Sequence, residues 1–390
     1  VRHRLGILCT HPIQYYAPLF RLLEQNSYVE CTVYYAQKPD AVRQGVGFGV
    51  AFEWDVDLTG GYRHMWLKNK AARPDLASFS GCDTPEIAAI IRREKFDAFL
   101  VTGWNTKSHW QAMHACWSTG TPVFVRSDSH LHKKRDFLKE IVKRATYPLF
   151  MKRFAACLAV GRWSGEYFAH YGARRVLQSP HFVDNEWFAS ACSESRQSAA
   201  RLRRDWGIPE NSTTFLFVGK FEPKKRPMDL LEAFKKMLSG AVELRPHLFM
   251  VGDGQKKREC EDYASRHALP VSFGGFLNQS KMPLAYAVCD ALVLPSDGRE
   301  TWGLVVNEAM ACGLPVIVSD EVGAGPDLVM PGKTGYVFRC GDIDALAERM
   351  REMLIPDKCR TLGQAARERV ASFSPQAALK GILQAMDLGV

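Results

Sequence analysis

The chain of 390 residues predicts two α/β domains, each built on a doubly wound parallel sheet with Rossmann-like alternation. Three observations carry that expectation. In both halves, short apolar runs rich in Leu, Val and Ile alternate with stretches at helical period, the pattern of strands buried on both faces and joined by crossover helices. The length suits two domains, and a hydrophobic content of 46% is ample for two cores. Several apolar runs end in a polar or glycine-bearing loop that opens a helix, and ligands of such sheets bind at these strand ends.

The first half opens with a strand at 5–9, a loop Thr10-His11-Pro12-Ile13-Gln14 and a helix at 16–23. His11 and Gln14 are cleft residues by position, and for His11 a part in merely fixing the turn is the competing account. A strand at 28–36 follows, after which 37–80 loses periodicity and gathers Gly45, Gly47, Gly49, Gly60 and Gly61 among Phe48, Phe52, Trp54, Tyr62 and Trp66. A long insertion of that kind is functional or mobile, and it is assigned to the same side of the molecule as the first half's cleft residues. Asp55-Val56-Asp57 spells a D-x-D metal motif, but Asp342-Ile343-Asp344 repeats it where a helix N-cap is expected, so the match carries little.

Helices at 85–94 and 108–118 flank a strand at 98–102. The strand at 122–125 then delivers Arg126-Ser127-Asp128-Ser129-His130 to its carboxyl end, which makes Arg126, Asp128 and His130 the foremost site residues of this half; an Arg126–Asp128 salt bridge is the alternative. Between 133 and 153 stand Lys133, Lys134, Arg135, Lys139, Lys143, Arg144, Lys152 and Arg153 against Asp136 and Glu140, with Leu138, Ile141, Val142, Ala145 and Leu149 at helical spacing. Such a helix either lies on an anionic bilayer or shows water an ordinary solvated face. Strands at 157–160 and 176–177 enclose one more helix, and a polar helical connector at 190–204 leads into the second half.

There, a strand at 214–218 ends in Gly219-Lys220-Phe221-Glu222-Pro223-Lys224-Lys225, followed by a helix to 238. A glycine with cations at Lys220 and Lys225 before a helix N-terminus makes a diphosphate site by charge and by dipole. Strands at 248–251 and 271–273 end in Gly252-Asp253-Gly254 and Gly274-Gly275-Phe276. Strands at 290–295 and 315–318 bracket a helix opened by Gly303 and closed by Cys312-Gly313, with Gly313 where a left-handed cap is cheapest. Glu300, before that helix, can reach a sugar hydroxyl; Glu308, about one and a half turns in, can accept from a vicinal diol such as a ribose. Solvated helix charges are the bland alternative. A turn at 323–327 and helices at 345–354, 360–371 and 375–386 complete the chain.

The run ETWGLVVNEAMACGLPVI at 300–317 resembles the E-x7-E signature of family 4 retaining glycosyltransferases, which have the two-domain GT-B fold, two Rossmann-like sheets facing across a cleft. SPHFVDNEWF at 179–188 is similar to the family's crossover between domains, so the boundary is expected near Ala189: residues 1–189 as the acceptor-side domain, 190–374 as the nucleotide-sugar domain, and 375–390 packing back onto the first. The resemblance implies transfer of a sugar from a nucleoside diphosphate sugar, with retention and without metal or other cofactor. It implies donor contacts from Gly219, Lys220, Lys225, Gly275, Phe276, Glu300, Thr301, Trp302, Gly303, Leu304, Val305 and Glu308. Asp128 and His130 would face the donor sugar. The family usually shows arginine where this chain has Lys220, an exchange that keeps the charge and loses the bidentate fork.

Composition narrows the partners. The net charge of +9 attracts something acidic: a nucleoside diphosphate, an anionic glycan or lipid, a membrane surface or nucleic acid. Nucleic acid would explain the charge and none of the cleft residues. The 11 cysteines show no C-x-x-C pair, and neither a membrane-length apolar stretch nor a signal-peptide pattern is present. The expectation is a cytoplasmic enzyme, peripheral on the inner face of the membrane if the basic segment binds there. The acceptor is expected to be a glycan or lipid-linked glycan of a bacterial envelope pathway. A nucleotide-sugar epimerase of the same build and a non-catalytic nucleotide-sugar binder are the rival readings.

Overall fold

The computed structural model describes residues 2–38, 40–45, 47, 49–132, 137–239, 245–355 and 357–388. Phe48 of the insertion and Lys133, Lys134, Arg135 and Asp136 of the basic run lie outside the described residues. The chain divides into two compact units, one of Val1–Asp40, Val56–His181 and Pro375–Val390, the other of Ala41–Asp55 and Phe182–Ser374.

In the first unit, β1 (His3–Cys9), β2 (Val29–Tyr35), β3 (His64–Trp66), β4 (Ala98–Val101), β5 (Val123–Ser127), β6 (Ala156–Ala159) and β7 (Val176–Gln178) form one sheet in the order β3-β2-β1-β4-β5-β6-β7. Every pairing is parallel. The central strands are apolar and buried on both faces because helices such as Glu86–Glu94 and Lys107–Thr119 cross between them. Close approach is built in at Gly6, where a Cβ would stand 2.4 Å from the Phe99 ring. The last helix, Pro375–Ala385, joins this unit: Ser179 Oγ donates to the Ala378 carbonyl at 3.0 Å, and a Cβ on Gly381 would meet the Gln178 carbonyl at 2.0 Å.

The second unit holds β8 (Ser212–Val218), β9 (Arg245–Val251), β10 (Val271–Gly275), β11 (Ala291–Leu294), β12 (Val316–Ser319) and β13 (Gly335–Phe338), ordered β10-β9-β8-β11-β12-β13 and again wholly parallel. Phe215, Phe217, Phe234, Leu248, Met250, Val293 and Ile317 pack into one core with the helices Pro227–Leu238 and Ile343–Met353. The helix Asn185–Arg196, N-capped by Asp184 through Trp187 N–H, runs straight through the position near Ala189 where the sequence suggests a boundary.

In each sheet the strand order reverses at the centre, between β1 and β4 and between β8 and β11. At such a switch point the two neighbouring loops diverge and leave a crevice at the strands' carboxyl ends. In the second unit the two loops are those after Val218 and after Leu294, which are the ones carrying Lys220, Lys225 and Glu300.

Candidate functional site

The loop after β8 is anchored by backbone. Gly219 N–H donates to the Val251 carbonyl at 3.0 Å and Phe221 N–H to the Asp253 carbonyl at 2.8 Å. The neighbouring turn permits this only because residue 252 is glycine: with φ +132°, its Cβ would lie 1.9 Å from the Gly219 carbonyl oxygen. Pro223–Lys225 then makes one tight 3-10 turn, and its last residue, Lys225, sends a buried side chain back along Gly219. Lys220 is partly buried, and that desolvation holds its ammonium below the ordinary lysine range, with Lys224 and Lys225 pushing the same way against Glu222.

The loop after β11 is clamped from two sides. Asp297 N–H donates to the Lys224 carbonyl at 2.8 Å; on the other flank Gly323 N–H and Ala324 N–H donate to the Glu300 and Trp302 carbonyls at 3.1 and 2.9 Å. The effect is to deliver Glu300 to Lys225. Their side chains form an ion pair, both nearly withdrawn from solvent. The first of the predicted carboxylates and the second of the predicted cations therefore share one place.

Gly303 turns the chain into the helix Leu304–Ala311 with φ +95°, a left-handed conformation that favours glycine. The first N–H groups of the helix, from Leu304 and Val305, have no intrahelical acceptors and favour an anion. Four residues on, Glu308 is only 2% exposed and accepts a 2.6 Å hydrogen bond from the Tyr286 hydroxyl at Oε2. Trp302 is buried, donating its indole N–H to Asn307 Oδ1 at 2.8 Å; its side chain braces the helix, and it is the backbone of Thr301 and Trp302 that meets the 323–324 turn. Tyr286 and Asn307 escape a reading of the sequence because neither belongs to a spacing motif; only the fold sets them beside Glu308 and Trp302.

The carbonyl of Gly275, whose φ is +66°, accepts from Gly252 N–H at 2.8 Å, and Phe276 packs at a tilt against Phe52 with centroids 4.4 Å apart. Phe52 belongs to Ala41–Asp55, the part of the insertion that counts with the second unit, whereas sequence assigns the whole insertion to the acceptor side. Asn278 Nδ2 donates to the Glu53 carbonyl at 2.6 Å, and Asp55 accepts from Ser280 N–H at 3.0 Å and from its hydroxyl. Gly47 lies against the cations: a Cβ there would come within 2.9 Å of Lys220 Nζ and 2.5 Å of Glu222 Oε1. A pocket of about 730 Å³ opens among Gly47, Gly49, Glu222, Lys224, Asp253 and Arg299. Asp57, the other half of D-x-D, accepts from Thr59 and Gly60 N–H in its own turn in the first unit.

The first unit has a separate pocket of about 350 Å³ lined by Tyr16, Thr102, Asn105, Arg126, Asp128 and His181 among others. Arg126 is buried and donates to the Ser179 and Pro180 carbonyls at 3.1 and 2.8 Å and to the Tyr16 hydroxyl at 3.1 Å, so its hydrogen bonds tie two other segments to β5 around the pocket. His130 stands outside the pocket lining, buried and stacked on Trp163 with centroids 5.5 Å apart. His11 and Gln14 are not among the lining residues either. His11 Nδ1 shares a 2.9 Å hydrogen bond with Thr10 Oγ1, and burial lowers its pKa to about 4.

Residues 198–369, the stretch that carries both glutamates and both cations, match the family Glycosyl transferases group 1. That match covers less than half of the chain, and within it the chain is similar to the group 1 glycosyl transferases. The chain is 33% identical over 201 residues to sulfoquinovosyl transferase SQD2 of Arabidopsis thaliana, covering 49% of this chain and 37% of that protein. It is 31% identical over 185 residues to N-acetyl-alpha-D-glucosaminyl L-malate synthase of Bacillus anthracis, covering 45% of each. The matches thus span about half or less of these relatives' length. Among solved structures, a glycosyltransferase from Rickettsia africae aligns over 99% of this chain and 98% of its own with a TM-score of 0.76 at 15% identity. Anabaena Alr3699/HepE in complex with UDP aligns over 99% and 100% with a TM-score of 0.73 at 18% identity. The group 1 segment accordingly sits in a chain with the GT-B fold.

Proposed function

We propose that this protein is a retaining glycosyltransferase that moves a sugar from a nucleoside diphosphate sugar to a hydroxyl of a glycan or lipid-linked glycan, in synthesis of a bacterial envelope polysaccharide or glycolipid. The observation that carries this reading is the convergence of Lys225, Glu300 and the N-terminus of helix Leu304–Ala311 at the switch point of the second sheet, inside the segment that matches the group 1 family. The diphosphate binds at Lys220, Lys225 and the N–H groups of Leu304 and Val305. As the bond between the anomeric carbon and the phosphate oxygen breaks, negative charge grows on the diphosphate, and preorganised cations and N–H dipoles stabilise it there.

A diphosphate competes with Glu300 for Lys225, and the displaced carboxylate is then free to orient a sugar hydroxyl. Glu308, held by Tyr286, receives the ribose diol. The acceptor oxygen attacks the anomeric carbon on the face the diphosphate leaves, and its proton passes to a phosphate oxygen, so configuration is retained. Two lysines and a helix N-terminus supply the positive charge that a metal would otherwise bring, and the reaction proceeds without one. Asp128 and Arg126, which line the first unit's pocket, contact the acceptor or the transferred sugar. His130, His11 and Gln14 act around that pocket rather than as its walls.

The test is a panel of UDP-, GDP- and ADP-sugars, each assayed for nucleoside diphosphate release with and without pooled glycan and lipid-linked acceptors. A solved neighbour was crystallised with UDP, so the UDP-sugars come first. Release of one nucleotide that rises with acceptor, persists in EDTA and collapses in Glu308→Ala is the expected result. Sugar binding or epimerisation without diphosphate release under any acceptor would overturn it.

A further inference from the structure

The helix Phe137–Met151 carries apolar residues on two faces, and Tyr147, Phe150 and Met151 pack inward on the first unit's core. Its lysine at 143 points inward: Nζ donates to the Tyr167 hydroxyl at 3.1 Å and lies 4.5, 5.5 and 5.8 Å from the ring centroids of Tyr147, Tyr167 and Tyr171. Glu140 also faces this cage and accepts from the Tyr171 hydroxyl at 3.2 Å. A second set of apolar residues points outward. Ile141 is 48% exposed, Val142 60% and Leu149 71%, with Ala145 exposed between them. At 3.6 residues per turn these four fall in one sector of roughly 100°. Single exposed apolar side chains are common, but these are three of the ten large exposed ones among the described residues, all on one face of one helix. Exposed Arg144, paired with Glu140 at 3.4 Å through Nε, flanks the face; exposed Lys152 follows the helix end, and so does Arg153, whose guanidinium lies over the Trp117 ring.

We propose that this face docks on an anionic phospholipid bilayer, with Ile141, Val142 and Leu149 inserted at the headgroup boundary and Arg144 and Lys152 on the lipid phosphates. An apolar stripe edged by cations complements such a surface in both respects. The inward lysine matters because its charge is satisfied by the tyrosine cage, which leaves the outward sector apolar enough to insert. Docking stands independently of the transfer reaction, although it would bring a lipid-linked acceptor to the first unit. Among the described residues no helix is long and apolar enough to cross a membrane, so this contact is peripheral.

Co-sedimentation of the purified full chain with vesicles of phosphatidylcholine alone, and of phosphatidylcholine mixed with phosphatidylglycerol, tests it. The expected result is binding to the mixed vesicles only, weakened by salt. Leu149→Ser should weaken binding about tenfold and the triple variant Ile141→Ser/Val142→Ser/Leu149→Ser should abolish it. Arg144→Gln and Lys152→Gln should each cost about fivefold. Thermal melts of the variants unchanged from wild type would show that the losses are not unfolding. No binding to the mixed vesicles, or equal binding by the triple variant, would overturn the proposal. So would wild-type self-association that the triple variant loses, which would assign the face to a second copy. Donor-sugar turnover measured without vesicles reports on the transfer reaction separately.

Discussion

Lys225 and Glu300 neutralise each other nearly out of contact with water, so removing one leaves the other as a largely buried, unpaired charge. Lys225→Ala is therefore expected to destabilise by about 3 kcal/mol and to lower turnover by about two to three orders of magnitude. The stability loss alone could explain lost activity, and a paired substitution separates the two. Lys225→Met with Glu300→Gln should restore the urea midpoint close to wild type, because no charge is stranded, and should leave turnover low. Recovery of turnover in the double variant would show that Lys225 does not stabilise the departing diphosphate. Glu308 permits a cleaner cut. Glu308→Gln keeps an acceptor for the Tyr286 hydroxyl, so the fold should be spared, while losing the charge should weaken UDP binding about tenfold by calorimetry. Unchanged affinity would remove Glu308 from the ribose site. The places of the glutamates and lysines in the fold were legible in the sequence, because strand ends and a helix start can be read from the apolar runs and glycines around them. Their pairing was not, since it depends on how the loops after β8 and β11 are clamped.

The element that would aim the proposed chemistry is the turn at Gly303. An alanine there must hold a left-handed conformation, at about 1–2 kcal/mol, and its Cβ would come within 3.0 Å of Leu294 Cδ2. Gly303→Ala should lower Tm by several degrees and raise KM for the donor, because the helix N-terminus moves with the turn. An unaltered KM would mean that the N–H groups of Leu304 and Val305 do not touch the diphosphate. A second element is Ala41–Asp55, tied to 276–280 by Asp55, Glu53 and Phe52. Asp55→Ala should speed hydrogen exchange of the amides in 49–55 and at Ser280 while leaving the central strands protected. Equal exchange in wild type and variant would show that the tie carries little. Buried central strands announce themselves as apolar runs, and helix ends as glycines, so both sheets were largely legible. β3 was not: it has three exposed residues on an edge and no pattern to read. The attachment of 41–55 was hidden for a different reason, because its hydrogen-bond partners lie 225 residues away.

Over the whole chain, buried histidines set a limit at low pH. His11 and His109 in the first unit and His247 in the second are each held by burial at a pKa of about 4, against 6.5 for a free imidazole. Between those values the unfolded chain binds protons that the folded one refuses, so folding stability falls as pH drops from about 6.5 to about 4 and is unaffected by these groups above that window. Each group can cost up to about 3 kcal/mol at the bottom of the window, and the total stability of a domain is only about 5–15 kcal/mol. The net charge of +9 at neutral pH grows as histidines and carboxylates take up protons, and self-repulsion adds to the loss. Urea midpoints should therefore stay level near neutrality and fall steeply below about pH 6. His247 shares a 2.9 Å hydrogen bond with Ser272 Oγ through Nε2, which a glutamine amide can replace without titrating. His247→Gln should thus flatten the acid limb of the second unit's transition and leave the first unit's unchanged. An acid limb identical to wild type would show that His247 charges at its ordinary pKa in the folded protein, and that the loss arises from carboxylates or from net repulsion instead.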